Sequence, residues 1–332
     1  MMAYTGLIKP VLSFAFKRNP VISDSLNDYR RFVPEPYKGV VIISADFELA
    51  WAWRFSKSKN NPVASGLVLA KQERDNTPKI ISLCEEFNIP VTWATVGHLF
   101  LESCNKSDSR VHNDLKRVPY FENQWWKYDS GDWFDADPCS NFNDSPHWYC
   151  PDLIRNILDS NVGHEVGCHT FSHIPCTDGI CPPEVLEAEL EMCALAAEPF
   201  GLHLESFVFP GHTMGNYATI RKMGYSSVRT NYINILGYPK LDENGLWWHE
   251  TTMELNLNPG WPLWYNIYRY RKIINLTINN KAVCNLWFHP SMHPDNLTQL
   301  FPEVFKILNL NRDILWITTM KEYTKWLNSN AI

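Results

Sequence analysis

Two histidines four residues apart, His169 and His173, and two carboxylates two apart, Asp46 and Glu48, are the groups in this 332-residue sequence best suited to metal and acid–base chemistry. An H-x3-H spacing brings two imidazoles to one side of a helical turn or tight loop, within reach of one ion. Two imidazoles and one carboxylate leave a coordination position open, which Lewis-acid chemistry on a bound water requires. Zinc is the default divalent metal for such ligands, and Mn, Co or Ni suit them too. On a continuing strand Asp46 and Glu48 share a face; in a bend they divide the labour, one ligating the metal and one serving as general base. His289 follows another apolar run and is placed to protonate a leaving group. With His293 it makes a second H-x3-H, where Pro290 and Pro294 argue against a helix. His293 is left as a ligand, a substrate contact or a surface residue. His98 and His212, each after a strand-like run, read singly as packed or hydrogen-bonded histidines.

The positions of these residues imply the elements that hold them. Seven apolar strand-like runs recur, at 40–45, 91–96, 164–168, 206–209, 226–228, 283–288 and 314–318, with helical patterns between them. The run at 40–45 is apolar on both faces, as a buried parallel strand is. Helices are expected from Thr77-Pro78 onward and over 151–159, 183–198, 217–223, 265–276, 297–308 and 320–328. Alternating β and α elements give a parallel sheet with right-handed crossovers, and seven strands favour a barrel one unit short of eight. In such a barrel the loops after the strands converge on one face, so chemistry-bearing residues distant in sequence meet there. Residues 1–38, broken by Pro10, Pro20, Pro34 and Pro36, read as an N-terminal arm, and 39–332 as a single domain. Two stretches break the rhythm: 102–149, with a dense aromatic run from Tyr120 to Phe134, and 231–265, with Trp247, Trp248, Trp261 and Trp264. Both read as insertions that wall a cleft.

Composition narrows the function. A net charge of -6 and a pI near 6.0 carry no basic footprint for nucleic acid. Nine cysteines, an odd number without a CxxC pair, do not form a disulfide framework, so a reducing cytoplasm is expected. The apolar stretch near residues 12–16 is too short for a span, and neither a signal peptide nor a transmembrane segment is expected. Aromatics at 14% exceed what a plain core needs, and sugar clefts use such rings as stacking platforms.

The order of four segments resembles a known family. Asp46-Phe47-Glu48, the run 163–173 ending in His169-Thr170-Phe171-Ser172-His173, Phe207-Val208-Phe209-Pro210 and Leu286-Trp287-Phe288-His289-Pro290 follow the motifs of the polysaccharide deacetylases. This is the NodB-homology family, or carbohydrate esterase family 4, and the branch from bacterial surface-polysaccharide clusters is the most similar. The resemblance implies a distorted (β/α)7 barrel and metal-dependent N-deacetylation of an amino sugar, in O-antigen or capsule biosynthesis. It implies Asp46 as catalytic base, Glu48, His169 and His173 as metal ligands, and His289 as catalytic acid. Trp51, Trp53, His212, Arg229 and His293 are then candidate contacts to an N-acetylated saccharide, nucleotide-linked or lipid-linked. The chain departs from the family pattern twice. The family has Asp where Glu48 stands, and a third-motif arginine where this chain has Val208 and Gly211, with Arg229 and Arg54 as the substitutes. Two alternatives accompany this reading: a metal-independent amidohydrolase of the allantoinase-like type, and an impaired saccharide-binding pseudoenzyme.

Overall fold

The computed structural model describes residues 21–22, 26–107, 110–232 and 235–330. Much of the arm expected over 1–38 therefore lies outside the described residues. Of its described part, the turn Leu26–Arg31 leads into Phe32, whose ring stacks on Tyr238 at 4.5 Å and whose carbonyl accepts the Tyr323 hydroxyl at 2.7 Å.

The sheet is built around β1 (Val40–Phe47), all eight residues of which are buried. A β-branched run with no polar face is stable only when both faces are covered, as in a parallel barrel. The next strands are β2 (Thr92–Thr95), β3 (Glu165–Cys168), β4 (Ser206–Val208), β5 (Ser227–Tyr232), β6 (Trp247–Thr251), β7 (Met253–Glu254), β8 (Val283–Phe288) and β9 (Trp316–Thr318). Parallel pairing runs β6–β5–β4–β3–β2–β1–β8–β7. One stretch of chain carries both ends of this order, since β6 pairs with β5 and, two residues on, β7 pairs with β8. The sheet thus curls into the (β/α)7 barrel, with β1 to β5, β8 and the β6–β7 stretch as its seven staves.

The count of seven agrees with the sequence, but one member differs. The run near 314–318 supplies β9, which pairs only with Val40–Ile42 at the start of β1, while Ser44–Phe47 on β1 pairs with β2. The seventh stave lies inside the stretch read as an insertion, 231–265. Its tryptophans do not form a common rim: Trp247 is buried, with its indole N–H donating to Asn328 Oδ1 at 2.7 Å, and Trp248 stacks on Tyr217. Trp264 does lie exposed. The stretch 102–149 is packed: Val111, Leu115, Val118, Trp133 and Phe134 join the main core, and Trp133 stacks on Phe55 at 4.5 Å.

Helices α1 (Pro62–Phe87), α2 (Pro151–Asp159), α3 (Pro183–Ala197), α4 (Tyr217–Lys222), α5 (Leu263–Asn279), α6 (Phe301–Leu310) and α7 (Met320–Asn330) connect the strands. The expected start at Thr77-Pro78 is too late by four turns, because Asn61 caps α1 by accepting from Ala64 N at 3.1 Å and Pro78 sits inside the helix. The Thr77 hydroxyl donates to Glu73 O at 2.8 Å, occupying a carbonyl near the break in the ladder. The sequence conceals this first half because its buried face is partly polar, with Glu73, Asn76 and Thr77 all inside.

Candidate active site

Asp46 and Glu48 leave the end of β1 side by side. Asp46 is the penultimate residue of the strand, and Glu48 precedes a 3-10 turn at Leu49–Ala52 whose first residue, Leu49, has φ +47°. That tight turn is held from below by Glu73 of α1, which accepts from Glu48 N at 2.9 Å. Burial, and next the charge of Glu48, push the Glu73 carboxyl well above its ordinary range. Both effects disfavour a second negative charge beneath the turn.

His169 and His173 follow β3 in a loop that is strained and braced. Thr170 and His173 hold φ of +57° and +59°, a region that a β-branched residue such as Thr rarely enters. The bracing comes from several elements. Gly97 N and His98 N donate to Thr170 O and Phe171 O at 2.8 and 2.9 Å, and Glu189 accepts from Ser172 N and Oγ at 2.7 and 2.6 Å. Arg54 donates to Ser172 O and Trp133 O, so this arginine holds the histidine loop and does not serve the base.

The result is a convergence on Glu48. Its Oε1 lies 3.0 Å from His169 Nε2 and 3.2 Å from His173 Nε2, all three side chains being buried. His169 Nδ1 donates to Val208 O at 2.8 Å, so its Nε2 is the ring nitrogen turned toward the carboxylate. A lone pair facing an anionic oxygen at that distance is repulsive unless a proton or a cation lies between them. Burial alone would raise Glu48, but His173, His169 and His289 bring it well below the ordinary carboxylate range, while burial lowers His173 against the pull of Glu48. A carboxyl held low and an imidazole held low both favour the forms that bind a metal, and these three residues can hold a divalent ion.

Arg229 on β5 reaches across the barrel to Asp46. Its Nη2 donates to Asp46 Oδ2 at 2.6 Å and its Nη1 to Ser44 Oγ at 3.0 Å, and the guanidinium lies 5.0 Å over the Trp287 ring. Burial would raise Asp46, yet Arg229 with the nearby His169 brings the carboxyl below its ordinary value, so it stays ionised. Arg229 was expected as a substrate contact and, with Arg54, as a substitute for the third-motif arginine; at 1% exposure it is the buried partner of Asp46. His289, at the end of β8, places Nε2 3.9 Å from both Asp46 Oδ2 and Glu48 Oε1 and is partly open to solvent. Its Nδ1 lies 4.0 Å from Glu254 Oε1 on β7, a neighbour that the sequence did not reveal.

The expected saccharide contacts fall into different places. Trp51 is a correction: at 1% exposure it is packed beneath the site against His98, Phe134 and Trp148, with its N–H donating to Trp148 O, so no sugar face reaches it. Trp53 is half-buried, with Lys59 5.7 Å from its ring. His212 packs edge-on to Trp287, and burial lowers it to about 4, so it is a neutral imidazole beside Arg229. His293 is set apart from the ligand group: its side chain is 72% exposed, lies 3.4 Å from Asp295, and lines a groove of about 530 Å³ with Asn258, Trp261 and Gln299. An aromatic not singled out from the sequence does reach the centre. Trp126, from the 102–149 stretch, packs edge-on to His173 at 5.2 Å.

No protein-family model matches this sequence, and no curated protein matches it. Solved structures do share the fold. A protein named as a polysaccharide deacetylase from Pseudomonas aeruginosa PAO1 is 12% identical, with 91% of this chain and 95% of that one covered, at a TM-score of 0.61. One so named from Mycobacterium smegmatis is 12% identical over 89% and 92%, at 0.57. Puue allantoinase is 12% identical over 90% and 93%, at 0.59. At such identities the likeness establishes the fold, and the chemistry is argued from the residues.

Proposed function

We propose that this protein is a metal-dependent hydrolase that removes the N-acetyl group of an amino sugar in bacterial surface-polysaccharide biosynthesis. The observation that carries the reading is the meeting, at the strand ends, of a Glu48–His169–His173 ligand set with an ionised Asp46 and a solvent-reachable His289. A divalent ion held by that set would supply Lewis-acid polarisation of the acetyl carbonyl and an acidified water. Asp46, kept ionised by Arg229, takes the proton of the attacking water. His289 gives a proton to the departing amine nitrogen, and Glu254 faces its other ring nitrogen. The Arg229–Asp46 pair also weakens the pseudoenzyme alternative, because the base has a cation despite Val208 and Gly211 in the third motif. A nucleotide-linked or lipid-linked substrate and a cytoplasmic site of action are part of the proposal. All nine cysteines are free thiols, and among the described residues no helix is long and apolar enough to cross a membrane.

The test is metal quantification paired with acetate release across N-acetylated sugar nucleotides and lipid-linked saccharides. His169→Ala and His173→Ala are each expected to lose the ion at this site with the fold retained by circular dichroism. Unchanged ion content there in both variants removes the site, and full amide hydrolysis by metal-free protein returns the allantoinase-like alternative.

The acid assignment has its own measurement. His289→Ala is expected to slow amide hydrolysis by about 10²–10⁴-fold while the ion is retained. An activated ester, whose leaving group needs no proton, is expected to lose far less. Equal losses on both substrates would reassign His289 to packing or ligation.

A further inference from the structure

A second group of donors joins the 102–149 stretch to the turn after β2, behind the candidate active site. His98, Cys104, His112 and Asp137 each offer one ligand atom, and the four atoms lie within 4.8 Å of one another. Asp137 Oδ2 is at the centre: His98 Nε2 is 3.1 Å away, His112 Nε2 3.6 Å and Cys104 Sγ 3.6 Å. The edges of a tetrahedral zinc site with Zn–N near 2.0 Å and Zn–S near 2.3 Å run to roughly 3.3–3.8 Å, so the group is close to the required size.

A second observation concerns what these atoms lack. His98 and Asp137 have fully buried side chains, and the Nε2 atoms of His98 and His112 are buried without an aligned hydrogen bond. His98 Nδ1 donates to Trp148 O at 3.2 Å, fixing the tautomer that presents a bare lone pair at Nε2. The other carboxylate oxygen, Asp137 Oδ1, accepts from Cys139 N at 2.8 Å and from the Tyr149 hydroxyl at 3.2 Å, so Oδ2 is left for the centre. A metal-free network accounts for less. A Cys104 thiol proton can go to Asp137 or to the Tyr149 hydroxyl 3.0 Å away, but the two imidazole Nε2 atoms then still face one carboxylate oxygen at 3.1 and 3.6 Å without alignment.

We propose that His98, Cys104, His112 and Asp137 form a closed, structural zinc site, separate from the candidate active site. Two imidazoles, a thiolate and a carboxylate fill four positions and leave none open, which suits a structural ion. The site fastens the irregular 102–149 stretch to the turn after β2, where His98 sits. It also stiffens the neighbouring centre. Phe171, between the two ligand histidines of that centre, packs against the rings of His98 and His112 at 5.5 and 5.2 Å, and Trp51 lies on His98 at 4.3 Å.

The test begins with the full chain carrying His169→Ala and His173→Ala, which removes both imidazole ligands proposed for the first centre and leaves it only Asp46, Glu48 and His289, none of them a sulfur donor. This variant is expected to retain one equivalent of zinc after desalting. Its cobalt-substituted form is expected to show a sulfur-to-metal charge-transfer absorption, which no ligand of the first centre can produce. Adding Cys104→Ser should abolish both signals. A double variant that holds no ion, or holds cobalt without the sulfur band, overturns the proposal. So does recovery of a Cys104–Cys139 disulfide, whose sulfurs lie 3.5 Å apart, from reductant-treated and thiol-blocked protein. The sulfur band is read without altering any residue of the second site, so a Cys104→Ser chain that fails to fold leaves the test intact. Acetate release plays no part in it, so failure of the deacetylase reading would be seen separately.

Discussion

Asp46→Asn is expected to lower turnover by about 10²–10⁴-fold while the Glu48–His169–His173 group still binds its ion. The substitution nearly keeps the shape of the side chain, but it removes both the ability to take a proton and the negative charge that faces Arg229, so some loss of stability is expected alongside the loss of turnover. Glu48→Gln is the informative contrast. Glu48 Oε1 is the atom on which both histidines converge, so this variant is expected to lose metal before it loses anything else. Metal content by mass spectrometry, set beside kcat for the two variants, decides between them. If Asp46→Asn sheds the ion and Glu48→Gln retains it, the two carboxylates have exchanged roles.

Arg229→Met carries the second large effect. Arg229 and Asp46 form a buried ion pair, and removing one partner strands the other charge inside the barrel at a cost of roughly 3–5 kcal/mol. The pH dependence follows from the depressed Asp46 carboxyl. A group whose folded pKa lies below its unfolded value, here 3.8, contributes stability that is present above that value and lost as pH falls through the folded pKa. Without Arg229 the burial penalty acts on Asp46 with much less opposition, so its pKa rises. The acid limb of kcat/KM should move toward neutral pH, and the gap in stability to the parent should narrow as pH falls. Arg229→Met combined with Asp46→Asn should recover part of the stability, since neither charge remains. An acid limb that stays in place in Arg229→Met would show that the pair does not control the base.

The residues at the strand ends were legible because the chemistry that needs them also dictates their spacing. Asp46, Glu48, His169, His173 and His289 sit immediately after apolar runs, and the structure brings all five together. What was hidden had no periodicity to announce it. The β6–β7 stave, Trp-Trp-His-Glu-Thr followed by Met253–Glu254, carries His249 and Thr251 inside, so its pattern does not read as an apolar strand. The run at 314–318 reads as a stave because it is apolar, yet it covers only the first half of one edge of β1. Glu73 is a buried ionisable residue whose partner Glu48 lies 25 residues away, and Arg229, named beside Arg54 as a substitute for the third-motif arginine, could not be chosen over it from sequence because its partner Asp46 lies 183 residues away. Cys104, His112 and Asp137 are gathered by an irregular fold at spacings that match no common metal pattern. Trp51 misled for the opposite reason, since a tryptophan beside an active-site motif is as useful under the site as in it.

Placing the cation beside Asp46 on β5 has a consequence for what the turn after β4 can tolerate. The resemblance places a cation in the third motif, near Pro210, whereas here the guanidinium comes from the neighbouring stave. The turn it would have occupied is closed. Gly211 has φ +53°, and any Cβ there would meet the Trp126 ring at 2.6 Å. That indole also packs on His173. The turn and the aromatic roof are therefore interlocked: an arginine placed at position 211 would have to displace the indole that packs on His173.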